Sequence, residues 1–326
     1  MVVTFWMADE IEGMKLTKGR FMMMVLKPRV VSDELKLFRS INARMNLGVK
    51  EKQQYINLEK GYEGEVEFDK MVAQLDSEYL ILNDLLLECQ GSLFQIDSLL
   101  ISLDTLYLFE VKNSEGDYVV KGSIWSSITG AEIKNPLNQL ERSESLLRRL
   151  LQQFHSSLTI NPYVVFVNPE FYLYQAPVNK SIIFPTQLKR LMRNLDKNKA
   201  NVNDKHMQLA RKLLSEHRTL SPYTRLPHYS FEEMKKGILC GCCRSLETIY
   251  DGLRVVCVTC GAVEELDSAI LRSAEEFMLL FPDKKLTTNA LLEWCKVVES
   301  RKTIKRVLLK NYNRIGHGKY SYYIKS

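Results

Sequence analysis

The sequence predicts an α/β or α+β domain followed by a small module built on paired cysteines and a basic helical module. Three observations predict it. Between residues 79 and 184, apolar runs of strand length flank one long amphipathic helical stretch. Four of the seven cysteines fall in two close pairs between 240 and 260. From Lys296 to Ser326, nine Lys and Arg stand against one acid, Glu299.

A length of 326 residues implies two or three domains. With 45% hydrophobic and 26% charged residues, wholesale disorder is excluded. Fifteen Gly and nine Pro exclude a collagen-like or low-complexity chain. The apolar runs, Phe21–Leu26 among them, fall short of the roughly 18–20 residues a membrane span needs, so no membrane partner is expected. Net charge is +6. The local excess of eight in the tail exceeds it, so the remainder is slightly acidic. Clustered cysteines read as metal ligands in a reducing compartment. The N-terminus lacks a basic start, apolar run and small-residue cleavage site. A cytoplasmic protein is therefore expected. Met1–Arg20 shows no amphipathic period, and Met22, Met23 and Met24 follow it. A translation start at this cluster is preferred, with a genuine N-terminal arm as the alternative.

Along the chain, Leu35, Phe38, Ile41 and Met45 recur at helical steps, predicting helix over 31–60. Gly61 and Gly64 are expected to break it before a short helix, Glu65–Leu75. Strands are predicted at Tyr79–Leu87, Phe94–Ile101 and Leu106–Lys112, with another starting at Tyr118. Pro136 opens a helix with Leu137, Leu140, Leu147, Leu150 and Phe154 on one stripe. Tyr163–Val167 and Ser181–Phe184 read as further strands, and Gln187–Leu195 as helix. Residues 191–236 read as a helical connector in which Met207, Ala210, Leu213 and Leu214 mark one amphipathic helix. The expected domains are 1–56 (arm and helix), 57–190 (α/β), 191–236 (connector), 237–265 (cysteine module) and 266–326 (basic module).

The chemistry concentrates in Gln95-Ile96-Asp97 and Phe109-Glu110-Val111-Lys112. Alternate strand residues share a face, so Glu110 and Lys112 point the same way. A two-residue turn at Leu103 and Asp104 sets Asp97 opposite Glu110. Asp97, Glu110 and Lys112 then share one face of the sheet. Two carboxylates can hold a hard cation such as Mg²⁺ or Mn²⁺, which polarises a phosphate and activates water. The lysine can stabilise charge in the transition state. Glu65 shares a helix face with Phe68, Val72 and Leu75. A carboxylate on an apolar face needs a partner, and a metal site shared with Asp97 and Glu110 would supply one. The bland alternative is a cross-strand ion pair of Asp97 or Glu110 with Lys112.

Gly61-Tyr62-Glu63-Gly64-Glu65, Asn83-Asp84, Gln95-Ile96-Asp97 and Phe109-Glu110-Val111-Lys112-Asn113 with Gly116 occur in order. With Asn135-Pro136 and Asn138-Gln139, they resemble the nuclease-related domain, NERD, over roughly residues 57–185. The resemblance implies a restriction-endonuclease-like PD-(D/E)xK core, a mixed sheet flanked by helices. It implies that Glu65 is the helix acid, that Asp97 and Glu110 are metal ligands, and that Lys112 is the catalytic lysine. Gln139 matches a polar position that supports the site or touches nucleic acid. The family's usual glycine between the two central strands is replaced here by Leu103-Asp104-Thr105.

Cys240-Gly241-Cys242-Cys243 and Cys257-Val258-Thr259-Cys260 form two C-x-x-C knuckles. Cys240, Cys243, Cys257 and Cys260 suit tetrahedral Zn²⁺, and Asp251-Gly252 suits a hairpin turn between the knuckles. This predicts a structural zinc ribbon, with Cys242 spare, although a register using Cys242 stays open. Cys89 and Cys295 sit in apolar contexts and read as buried fillers.

In the tail, Thr288-Asn289 is expected to cap a short helix through Trp294, and Ser300 a second, Arg301–Lys310. Ile304, Val307 and Leu308 would face inward, and Arg301, Lys302, Lys305 and Arg306 outward to meet phosphates. A Gly-rich tip at Arg314–Gly318 and a closing strand Tyr320–Ile324 complete an outline that resembles a winged helix-turn-helix. The tyrosines there either stack on bases or, for Tyr320 and Tyr322, are buried. The five His are scattered without metal spacing and carry no role.

Together these features predict a Mg²⁺-dependent nuclease whose ribbon and basic tail position nucleic acid, DNA in preference to RNA. A non-catalytic nucleic-acid-binding protein on the same fold and a protein–protein adaptor are the alternatives. Oligomeric state is not legible.

Overall fold

The computed structural model describes residues 24–197, 202–218 and 225–325. The expectation about the leader, residues 1–21, lies outside them, as do Met22 and Met23. In chain order the elements begin with β1 (Met24–Lys27), α1 (Asp33–Arg44), α2 (Val49–Val72), β2 (Leu80–Cys89), β3 (Ser92–Ile101) and β4 (Thr105–Lys112). Next come β5 (Gly116–Lys121), β6 (Ile124–Ser127), β7 (Glu132–Ile133), α3 (Pro136–Gln153), β8 (Thr159–Phe166), β9 (Phe171–Tyr174) and β10 (Ile182–Ile183). The chain continues through α4 (Leu188–Lys197), α5 (Asp204–Ser215), β11 (Thr248–Tyr250), β12 (Arg254–Cys257) and β13 (Val263–Glu265). It closes with α6 (Leu266–Leu280), α7 (Thr288–Cys295), α8 (Arg301–Asn311), β14 (Asn313–Ile315) and β15 (Tyr322–Ile324). Among the described residues, no helix is long and apolar enough to cross a membrane.

The chain divides into two units. The first holds residues 24–29 and 64–218. Its centre is a six-stranded mixed sheet of order β1-β2-β3-β4-β8-β10, antiparallel at β2–β3 and β3–β4 and parallel elsewhere. Period-two alternation sends successive side chains to opposite faces. Leu99, Ile101, Leu106 and Leu108 join α3 and α5 on one side. Leu100, Tyr107, Phe109 and Val111 meet Phe68 and Val72 of α2 and Leu188, Leu191 and Leu195 of α4 on the other. This is the mixed sheet flanked by helices that the sequence implies.

Several local expectations change. The break at Gly61 and Gly64 is absent, because α2 runs unbroken from Val49 to Val72. Two helical glycines cost about 1 kcal/mol each relative to alanine. Burial of Phe68 and Val72 offsets that cost. The preceding helical stretch instead ends at Met45, whose extended backbone caps α1. The residues expected as connector split: α4 and α5 pack on the two faces of the sheet. A second sheet, β7-β6-β5-β9, covers part of the α3 side through Val120, Trp125 and Phe171.

The second unit holds residues 30–63 and 225–325. The hairpin β11–β12 with β13 forms a three-stranded antiparallel sheet between and beyond the cysteine knuckles. Helices α6, α7 and α8 share one core with Leu37 and Ile41 of α1. Arg44 is fully buried there. It pairs with Glu276 at 2.6 Å and lies 3.9 Å from the centre of the Trp294 ring. The hairpin β14–β15 follows α8, and Tyr323 of β15 bridges to Leu286 ahead of α7. The cap of α7 is Thr287, whose hydroxyl accepts the Ala290 N–H, in place of the expected Thr288. Tyr323 is the buried tyrosine of β15, and Tyr320 is exposed, which reverses the expected alternation.

Candidate active site

The ladder between β3 and β4 pairs Ser98 with Phe109 and Leu99 with Leu108. This is the register that a turn at Leu103 and Asp104 requires, and the next residues outward are Asp97 and Glu110. The recorded pairs stop at Ser98, and the Asp97 side chain continues the link, accepting the Val111 N–H on Oδ2 at 2.8 Å. Asp97 is 6% exposed and Glu110 is 2% exposed.

Lys112 reaches back along β4 and donates to Glu110 Oε1 at 2.7 Å. It also donates to Gln139 Oε1 at 3.1 Å. Gln139 sits in the first turn of α3, where Asn135 caps the helix by accepting the Leu137 N–H and Pro136 takes the first position. Local helix-start chemistry thus fixes the place of the glutamine against the lysine.

The electrostatics are those of crowded acids. Burial and then the charge of Asp97 push Glu110 up to about 7, against the opposing Lys112 ammonium. Burial raises Asp97 as well, opposed by Lys112, the Val111 N–H and Arg29. Glu65 of α2 is pushed up to about 8 by burial and by Asp97, with Arg29 opposing. Glu65 and Glu110 therefore each feel the charge of Asp97. Their oxygens do not gather into one tight cage: among the described residues, the group of three or more potential ligands that meet within 4.8 Å of one another is the cysteine cluster alone.

Glu65 has a partner that the sequence did not reveal. Arg29, just after β1, donates from Nη1 to Glu65 Oε2 at 2.5 Å. It grips Asp69 at 2.8 and 3.1 Å and donates to the Asp97 carbonyl at 2.7 Å. Asp84 is the other addition. It holds φ = 53° within β2, between the pairs Asn83–Ser98 and Leu85–Ile96. Aspartate tolerates this left-handed conformation better than most residues. Its carboxylate accepts from Gln95 at 2.9 Å and lies 3.9 Å from Lys27. Asn83-Asp84 was visible as a sequence pattern, whereas nothing marked Arg29.

α2 also comes close to the end of β4. A Cβ built on Gly64 would lie 2.4 Å from the Cβ of Asn113, the residue after Lys112. Only glycine permits this approach.

In the second unit, Cys240, Cys243, Cys257 and Cys260 bring their sulfurs within 4.8 Å of one another, close enough to hold a metal ion. Cys242 stands outside the four and donates its N–H to Cys240 Sγ at 3.3 Å. Cys89 and Cys295 are buried. On α8, Arg301, Lys302, Lys305 and Arg306 are exposed over buried Ile304, Val307 and Leu308. Arg306 is engaged by Asp267 of α6 at 2.5 and 2.8 Å.

No curated protein matches the chain. Among solved structures, the small subunit of a heterodimeric restriction endonuclease is similar at 16% identity with a TM-score of 0.23. That similarity covers 56% of this chain and 87% of the other. The stretch from 60 to 167 matches the family described as NERD, nuclease-related domain. The matched stretch carries Glu65, Asp97, Glu110, Lys112 and Gln139, and it is this part of the chain that is similar to nuclease-related domains.

Proposed function

We propose that the first unit hydrolyses phosphodiester bonds of nucleic acid, DNA in preference to RNA, with a divalent cation on Asp97 and Glu110. The observation that carries this reading is the Lys112 ammonium, held 2.7 Å from the buried Glu110 and 3.1 Å from Gln139. It lies on the strand face that Asp97 shares. The donor set fits a hard cation: two buried carboxylates that repel each other supply oxygen ligands and negative charge. Mg²⁺ or Mn²⁺ bound there supplies Lewis-acid polarisation of the phosphate and a more acidic water. Lys112 offers the positive charge of its ammonium to the oxygens on which negative charge develops. Gln139 fixes the direction of that ammonium.

The cysteine cluster is read as a structural zinc site. A Zn–S bond of about 2.3 Å in a tetrahedron implies sulfur separations near 3.8 Å. The pairs Cys240–Cys260 and Cys243–Cys257 each stand at 3.6 Å. The exposed cations of α8 are read as phosphate-binding groups that add sequence-independent affinity. The free thiols fit a reducing, cytoplasmic setting.

A second reading, a binding protein without catalysis, draws on one observation. Glu65 and Glu110 each already have a cationic partner in the chain, Arg29 and Lys112. Incubation of the purified protein with DNA and RNA, with Mg²⁺ or Mn²⁺ against chelator, separates the two. Metal-dependent cleavage that disappears in Asp97→Ala and Lys112→Ala supports the nuclease. Salt-sensitive binding without cleavage supports the second reading.

A further inference from the structure

We infer that Arg29 is a fixed cation of the acid cluster that takes the place of a second metal ion, so that the cluster binds one divalent cation, on Asp97 and Glu110, and Glu65 is not a ligand. This rests on the metal-dependent reading above and specifies it.

The geometry of the guanidinium is the first argument. Its side chain is 3% exposed. Nη1 is spent on Glu65, Nε on Asp69, and Nη2 on both Asp69 and the Asp97 carbonyl. The fork shape of arginine suits such simultaneous carboxylate contacts, and the group does not deprotonate. A divalent ion on Glu65 would have to displace this cation or sit beside it, and like charges at that range repel in a poorly hydrated site. Pulling Arg29 away would also strand Asp69 and the Asp97 carbonyl without their donor.

Charge balance is the second. Lys27 and Asp84 oppose each other at 3.9 Å. The remaining acids are Glu65, Asp69, Asp97 and Glu110, and the remaining cations are Arg29 and Lys112. Even with all four carboxyls ionised, the two cations leave an excess of two negative charges, which is room for at most one divalent ion. The two acids whose side chains lack a guanidinium contact are Asp97 and Glu110, the residues next outward from the Ser98–Phe109 pair of β3 and β4. Asp97 touches Arg29 only through its backbone, which leaves its carboxylate for the Val111 N–H and a metal. Arg29 is thus a positioning residue: it fixes the helix acid and the strand from which Asp97 projects.

The test is a count of Mn²⁺ bound to the full-length, zinc-loaded chain, read by electron paramagnetic resonance of free Mn²⁺ during titration, with zinc assayed separately. The expected result is one Mn²⁺ per wild-type chain and none in Asp97→Ala. Glu65→Gln should keep its single Mn²⁺, with affinity lowered by no more than the roughly tenfold that loss of one neighbouring charge brings. Arg29→Gln, which removes a unit of positive charge, should bind Mn²⁺ about tenfold more tightly or take up a second ion. Two Mn²⁺ in the wild type, loss of binding in Glu65→Gln, or unchanged binding in a folded Arg29→Gln each overturns the inference and leaves the nuclease reading standing. Should Arg29→Gln fail to fold, Glu65→Gln decides alone. A wild-type chain that binds no Mn²⁺ overturns both.

Discussion

The Val111 N–H donates to Asp97 Oδ2 at 2.8 Å, so one carboxylate both closes the seam between β3 and β4 and lies at the centre of the acid cluster. The two duties separate by substitution. Asp97→Asn keeps an oxygen for Val111, whereas Asp97→Ala strands a buried N–H at a cost of about 1–3 kcal/mol. Urea denaturation should rank Asp97→Asn above Asp97→Ala in stability, with metal-dependent cleavage absent in both. Equal stabilities would remove the seam role.

Lys112→Ala should lower single-turnover cleavage by about 10²–10³-fold, the range expected when one charge-stabilising group is removed from the transition state. Mn²⁺ binding should survive, since the ammonium opposes the metal's charge. Gln139→Ala should lower cleavage less, because it removes only the anchor of Lys112. A larger drop in Gln139→Ala than in Lys112→Ala would reverse these roles.

Stripping zinc with a strong chelator, or replacing Cys257 with Ser, should expose β11–β13 to protease. The module has little apolar core of its own, and metal ligation would be its main source of folding energy. Metal analysis should give one zinc per chain before treatment. Full protease resistance of the stripped protein would show that the four sulfurs meet without needing an ion.

The triple change Arg301→Ala, Lys302→Ala and Lys305→Ala should weaken nucleic-acid binding alike across sequences. The slope of log affinity against log salt should shrink by about 0.9 for each duplex phosphate that is no longer neutralised. Adding Arg306→Ala should contribute less, because Asp267 already holds that guanidinium. Filter binding over a salt series reads both, and an unchanged slope would remove α8 from the interface.

His217 provides a pH handle in the first unit. Its Nδ1 accepts the Leu86 N–H at 3.1 Å, which requires a lone pair. Burial, then the charge of Lys27, hold its pKa below 6.5, against Asp84. In the unfolded chain the ring protonates first as pH falls. The stability it contributes is therefore complete above about 6.5 and is lost as pH drops from there through the folded value. His217→Gln should flatten this part of the thermal-midpoint profile between about pH 7 and pH 5. A wild-type profile without that decline would contradict the assignment.

Asp97 and Glu110 were legible because both rest on short-range rules. A two-residue turn sets the register, and period two sets the face. Gln139 was legible only through the resemblance to the nuclease-related domain, while the Asn-Pro start of its helix explains why it sits where it does. Arg29 was not, since its partners lie 36, 40 and 68 residues away and a single arginine after a four-residue strand has no period. The requirement that Glu65 find a partner was correctly drawn from its apolar face, but that rule names no partner, and the structure supplies a guanidinium. The unbroken α2 was missed because glycine propensity is local, whereas the burial of Phe68 and Val72 is tertiary. The second sheet escaped notice because β6 and β9 have four residues each and β7 has two, too few for alternation to stand out.

The close approach of Gly64 to Asn113 carries a lesson for mutational scanning. A methyl group there collides with the first atom of a side chain, which cannot swing aside, so helix or strand must retreat. One neighbour of Gly64 along the helix is Glu65, and Lys112 adjoins Asn113 along the strand. Gly64→Ala would therefore give the activity profile of a catalytic knockout while every reacting group stayed in the protein. A screen that scores function alone would place Gly64 among the chemical residues, although its whole contribution is the space it leaves empty.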